Sequence, residues 1–182
     1  NEMKKVLATL TILALTVAAI FAASGDTLQI TAKIAKKAPS FQMYGSFDTA
    51  YSTVAGTTNN TLTTTDDISE ENITVNVKLV QNTVAKYNES FDITIEATNL
   101  KNGNNEASVT CSTATSAVSN NANLTVAATK ANAKATYTMT YTNGKPVAAN
   151  TIIGYATFVW TANENLAAGD YSASITLSYS AS

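Results

Sequence analysis

Four carboxylates crowd into one short stretch, Asp66, Asp67, Glu70 and Glu71, and this is the sequence's one concentration of groups that could hold a hard cation or act as an acid–base pair. Calcium takes several oxygen ligands in a flexible cage. This run lacks the alternate Asp/Asn spacing of a calcium loop and reads as a solvated acidic face. Glycoside hydrolysis needs two carboxylates set across the scissile bond, and nothing in the spacing selects a pair. The chain has no histidine. That removes the commonest general base, the commonest zinc ligand and every Ser-His-Asp or Cys-His arrangement. Cys111 is the only cysteine, so an internal disulfide is ruled out and a nucleophilic thiol would lack an activating imidazole. It reads as a small buried apolar residue. The glycines are scattered and form no phosphate loop. The expectation is a protein that is not an enzyme, with no cofactor and no metal; an extracellular hydrolase survives only because paired carboxylates are cheap.

Eight tyrosines and Trp160 offer planar rings that could stack on sugars. Tyr137, Tyr141, Tyr155, Tyr171 and Tyr179 fall in stretches that read as strands, where packing is the simpler use of a ring. Asn59, Asn72, Asn88 and Asn123 each open an Asn-x-Ser/Thr triplet, which matters only where glycosylation machinery meets the chain. Charge excludes nucleic acid as a partner. There is no arginine, and 11 lysines face 13 carboxylates, whereas phosphate backbones need a basic face and base edges need arginine above all.

The elements that must carry these residues begin after an apolar leader. Met3 is the natural start; Lys4 and Lys5 precede an apolar run from Val6 to Ala23, and small residues follow at Ala22, Ala23, Ser24 and Gly25. This is the pattern of a secretory signal peptide over 1–24, with cleavage after Ser24. The run is long enough to begin to span a bilayer, but Thr9, Thr11 and Thr16 dilute it, so membrane contact is expected through the export signal alone. About 158 residues then remain, the size of one domain with a real core. They alternate apolar and polar repeatedly: Phe41 to Phe47, Ile73 to Leu79, Phe91 to Ala97, Val109 to Cys111, Leu124 to Val126, Tyr137 to Tyr141 and Tyr171 to Tyr179. A strand turns successive side chains to opposite faces, so this period of two predicts half-buried strands. Ile152 to Trp160 is apolar on both faces and reads as central. Turn clusters stand at Asn102-Gly103-Asn104-Asn105, at Asn143-Gly144 and at Ala168-Gly169-Asp170, and the stretch 52–67 reads as a surface loop. The prediction is all-β: an antiparallel two-sheet sandwich over 39–182, preceded by a short strand in 25–38. That strand, with Leu28, Ile30, Ala32 and Ile34 on one face, has two fates. It pairs in its own sheet or completes the sheet of another copy.

Both ends of the exported chain resemble subunits of bacterial chaperone–usher fimbriae, the colonisation-factor type of pilin and spore-coat-U-like domains. Leu28-Gln-Ile-Thr-Ala-Lys-Ile-Ala-Lys-Lys-Ala-Pro39 is similar to that group's donor segment, and Ala168-Gly169-Asp-Tyr-Ser-Ala-Ser-Ile-Thr-Leu-Ser-Tyr179 to its final strand. The resemblance covers about 30 residues. It departs from the family in lacking the disulfide that many pilins carry and in running on past Tyr179 to Ser182. It implies an immunoglobulin-like sandwich short of one strand, which the N-terminal strand of a neighbour supplies. On that reading Leu28, Ile30, Ala32 and Ile34 are the plugs, while Gly169, Tyr171, Ala173, Ile175, Leu177 and Tyr179 lie on the strand bordering the groove. It further implies a periplasmic chaperone and an outer-membrane usher, identical subunits joined head-to-tail, and passage through the periplasm to a surface filament. The rival expectation is an exported monomeric sandwich that binds glycans or surfaces.

Overall fold

The structure, a computed structural model, describes residues 37–51, 53–55, 61–142 and 144–181, together with Ala32 and Ala35. The chain divides into two compact units, Asn1–Ala35 and Lys36–Ser182. The predicted leader and Leu28, Ile30 and Ile34 lie outside the described residues.

The described residues form strands and no helix, as the period of two requires. In chain order they are β1 (Phe41–Ser46), β2 (Thr53–Ala55), β3 (Ile73–Gln81), β4 (Ala85–Lys86), β5 (Ser90–Ala97), β6 (Leu100–Asn102), β7 (Asn105–Ala107), β8 (Val109–Ser116), β9 (Leu124–Ala131), β10 (Lys134–Tyr141), β11 (Pro146–Val147), β12 (Thr151–Trp160) and β13 (Ile175–Ala181). Two large antiparallel sheets result. One runs β2-β1-β3-β12-β8 and the other β13-β5-β10-β9, with two-stranded pieces β4-β11 and β6-β7 beside them. The inward rows of both sheets (Val77 and Leu79, Ile93 and Ile95, Tyr137 and Met139, Ile153 and Phe158) make one sealed core. The predicted sandwich is therefore present, and Ile152 to Trp160 is central, between β3 and β8.

Boundaries differ from the sequence reading in several places, among them β9, which runs on from Val126 to Ala131. Thr53–Ala55 forms a short strand within the expected loop. Val109 opens an eight-residue strand rather than a short one. The last strand starts at Ile175, not near Tyr171, because its partner β5 ends at Ala97, the residue opposite Ile175.

Three side-chain contacts join the sheets at their middle and at their two ends. The Tyr137 ring of β10 lies directly on Gly154 of β12, where a Cβ would run into the ring and the Thr115 carbonyl. Gly154 follows a bulge at Ile153, the residue left unpaired where the register with β3 shifts between Ile152 and Gly154, and Tyr137 and Phe158 are fully buried around it. At one end of the sandwich Gln81 is wholly buried. Its Nε2 donates to the carbonyls of Thr83 and Ala148 at 2.8 and 3.1 Å, and its Oε1 accepts from the Tyr141 hydroxyl in the facing sheet. Each polar atom of the amide is thus satisfied, which makes the burial tolerable. At the other end Trp160 Nε1 donates to the Thr98 carbonyl at 2.9 Å.

Burial pushes the phenols of Tyr137 and Tyr141 above the ordinary tyrosine value of 10.0. Both must stay neutral in the folded protein, whereas unfolded phenols ionise near the ordinary value. Their contribution is therefore complete below pH 10 and lost as pH rises beyond it. Burial raises the Cys111 thiol from its ordinary value of 9.0 in the same sense, so melting temperature should be flat through neutrality and fall above about pH 9. The hydroxyls differ in one respect: that of Tyr137 has no hydrogen-bond partner among the described residues, while that of Tyr141 serves Gln81. Tyr137→Phe should leave stability unchanged or raise it, and Tyr141→Phe should cost about 1–3 kcal/mol by orphaning the amide oxygen. Gly154→Ala should cost about 1–3 kcal/mol by overpacking. Urea unfolding of the three variants checks these values.

Candidate functional site

β13 is the outermost strand of its sheet, and β5 is its one neighbour among the described residues. The register sets Ile175 against Ala97, Leu177 against Ile95 and Tyr179 against Ile93. These three β13 residues share the inward face by strand alternation. Their exposure changes abruptly across one strand spacing. Ile93 and Ile95 are 0% exposed, whereas Tyr179 is 44% exposed, and Ile175 and Leu177 are half-buried. The row that would cover them is missing from the described residues. Alternate backbone N–H and C=O groups along such an edge point away from the sheet and are free to pair.

The floor of this opening is aromatic. Phe41, the first residue of β1 in the facing sheet, meets the edge of the Tyr179 ring with centroids 5.0 Å apart. Phe41 also meets Phe91 at 6.0 Å, and Phe91 meets Tyr87 at 5.1 Å. Phe41 and Phe91 are themselves buried. The sequence pattern placed both on strands but gave no sign that they would form the floor of an opening, since that depends on which strands face each other. The edge strand itself carries no charge, since β13 reads Ile-Thr-Leu-Ser-Tyr-Ser-Ala. Charges sit instead on the outer face of this sheet, where Lys134 pairs with Glu96 at 3.4 Å and Thr138 Oγ1 donates to Asp92 at 2.8 Å.

Of the residues expected to border a groove, Ile175, Leu177 and Tyr179 do lie together on the edge strand. Gly169, Tyr171 and Ala173 precede it and do not. Gly169 has φ 150°, a region closed to residues with a Cβ, and sits against the Asn102 side chain. The Tyr171 hydroxyl donates to the Ala167 carbonyl at 2.8 Å, and Ala173 is exposed. Of the expected plugs, Ala32 alone is described; it is exposed and in no strand.

The other candidate groups stay apart. Asp67 Oδ1 accepts the backbone N–H of Ser69 at 2.8 Å and its hydroxyl at 2.7 Å. These bonds hold its carboxyl below the ordinary range and commit it to its own turn. Among the described residues no three acidic, histidine or cysteine side chains gather as a metal site. Cys111 is free and buried, and burial pushes its thiol up, away from the thiolate that a nucleophile needs. Among the described residues no helix is long and apolar enough to cross a membrane. Comparison with known protein families, with curated proteins and with solved structures finds no match.

Truncations at neighbouring positions measure how open the edge is. Ile95→Ala, in the sealed row, should cost about 2–5 kcal/mol. Leu177→Ala, one strand outward, should cost about half as much, because less apolar area returns to water. Equal losses in urea unfolding would mean that the edge is covered in solution.

Proposed function

We propose that the chain is a structural subunit of a bacterial surface filament assembled by donor-strand exchange. In this reading Leu28, Ile30, Ala32 and Ile34 of one copy lie along β13 of the next. The observation that carries it is the edge: among the described residues β13 is paired on one side only, with a half-covered apolar face above an aromatic floor. An alternating N-terminal strand supplies both things this edge lacks, backbone partners for its outer groups and apolar plugs for Ile175, Leu177 and Tyr179.

Strand order supports the same reading. In immunoglobulin-like sandwiches one sheet runs A-B-E-D and the other contains C, F and G. The order β1-β3-β12-β8 fits the first, and β5 beside β13 fits C beside F. A strand G would then lie beyond β13, where no further strand pairs among the described residues. The hairpin of β9 and β10, on the far side of β5, departs from the simple scheme. A donated strand makes a head-to-tail contact that propagates rather than closes. An open edge of this kind invites aggregation, so a periplasmic chaperone would guard it until an outer-membrane usher delivers the subunit. Such a protein needs no catalytic group, cofactor or metal.

Assembly of the exported chain tests the proposal. The wild type should form polymers whose length distribution shifts with concentration, and Ile30→Asp should abolish them by placing a charge in the groove. Leu177→Asp, on the receiving strand, should do the same. A wild-type chain that stays monomeric, or polymers unaffected by either change, would overturn the assignment.

A further inference from the structure

The five strands of the larger sheet contain a single charged residue, Lys78. An ordinary solvent face carries roughly a quarter to a third charged side chains of both signs. This sheet instead presents Thr74, Asn76, Tyr155, Thr157, Thr113 and Thr115 outward, with the lone cation near their centre.

The pairing places Tyr44, Lys78, Tyr155 and Thr115 in one row across four strands. At about 4.8 Å between strands the row runs about 14 Å. Lys78 Nζ stands 4.9 Å from the Tyr44 ring centroid and 5.5 Å from that of Tyr51. Tyr51, from the segment after β1, packs against Tyr155 at 5.3 Å with the planes inclined by 38°. It does so from a left-handed backbone, φ 52°, which a bulky residue adopts at a cost. Tyr44, Tyr51, Lys78 and Tyr155 are half-buried and none is sealed, and Thr115 is exposed. Among the described residues no carboxylate pairs with Lys78; the two lysine–carboxylate bridges are Lys101–Glu106 and Lys134–Glu96.

We propose that this row is a binding site for an acidic oligosaccharide, one bearing uronate or a similar carboxylate sugar. The chemistry is complementary on three counts. A pyranose ring presents an apolar C–H face that stacks on a tyrosine ring. The ammonium of Lys78, held by ring faces rather than by a protein carboxylate, is left to meet the sugar carboxylate. Thr113 and Thr115 are exposed and offer donors and acceptors to sugar hydroxyls, and Asn76 keeps one N–H and one lone pair beyond its bonds to the Asp48 carbonyl and the Thr157 hydroxyl. Polyphosphates are a poor fit, since one lysine without arginine neutralises little charge. A protein partner is also a poor fit. Protein interfaces deplete charge at their apolar centre, whereas this face puts its single charge there.

The test uses the full chain, titrated with trigalacturonate and with neutral cellotriose and followed by NMR shifts of the outer face of this sheet. Trigalacturonate should bind saturably, with Kd on the order of millimolar, and more weakly at high salt. Cellotriose should bind at least about tenfold more weakly. Lys78→Gln should lose about tenfold in affinity and most of the salt dependence. Tyr155→Ala should lose about as much, while Tyr155→Phe keeps the ring and should keep binding. All three changes lie on the outer face, so unchanged melting separates lost binding from lost fold. Absence of saturable binding, equal affinity for cellotriose, or full affinity in both Lys78→Gln and Tyr155→Ala would overturn the proposal. Dimerisation that Lys78→Gln abolishes, without sugar binding, would overturn it in favour of a protein interface. The site is distinct from the β13 edge, so Ile30→Asp should leave sugar binding intact.

Discussion

Two sheets that share no disulfide are kept in register by the shape of their common surface, and here a ring lying on a glycine specifies that shape. Tyr137 of β10 occupies the space a side chain at Gly154 would fill, so the sheets approach closely at this point. The ends are then fastened by directional bonds, Tyr141 to Gln81 at one and Trp160 to Thr98 at the other. Dispersion and hydrophobic burial are non-directional and would tolerate sliding. The buried hydrogen bonds are not so tolerant, because moving either sheet strands a polar atom in the core.

With the sheets fixed, the two flanks of the sandwich become unlike. On one flank β8 and β9 come together, and the Cys111 N–H donates to the Asn132 carbonyl, tying the sheets through backbone. On the other, β1 and β13 touch through the Phe41 and Tyr179 rings, and the rest of β13's inward face stays half open. This asymmetry is the basis of the proposed filament. A sandwich open on both flanks would have no defined polarity of addition, and one closed on both would have no place for another strand.

The outer surfaces are unlike as well. The four-stranded sheet faces solvent with paired charges such as Lys134 and Glu96, an ordinary solution to solubility. The larger sheet does without them and relies on hydroxyls, amides and tyrosines around Lys78. In a filament the two faces would repeat along the axis. A weak acidic-sugar site on each subunit would then gain from multiplicity what a single site lacks.

Much of the fold was legible in the chain because it rests on a local rule. Ile73, Val75, Val77 and Leu79 alternate, and so do Phe91, Ile93, Ile95 and Ala97; the pleat alone turns such residues to one face. The Asn102 to Asn105 cluster likewise marks the turn between β6 and β7. Tyr171 and Ala173 alternate just as cleanly, yet they are not in the strand. Where a strand begins depends on where its partner ends, and β5 stops at Ala97. Tertiary structure alone also decided that Tyr137 meets Gly154, that Gln81 is buried and satisfied, and that Tyr44, Lys78 and Tyr155 fall in one row. Each of these joins residues far apart in sequence, and strand order and register, which bring them together, are global properties that no local pattern encodes.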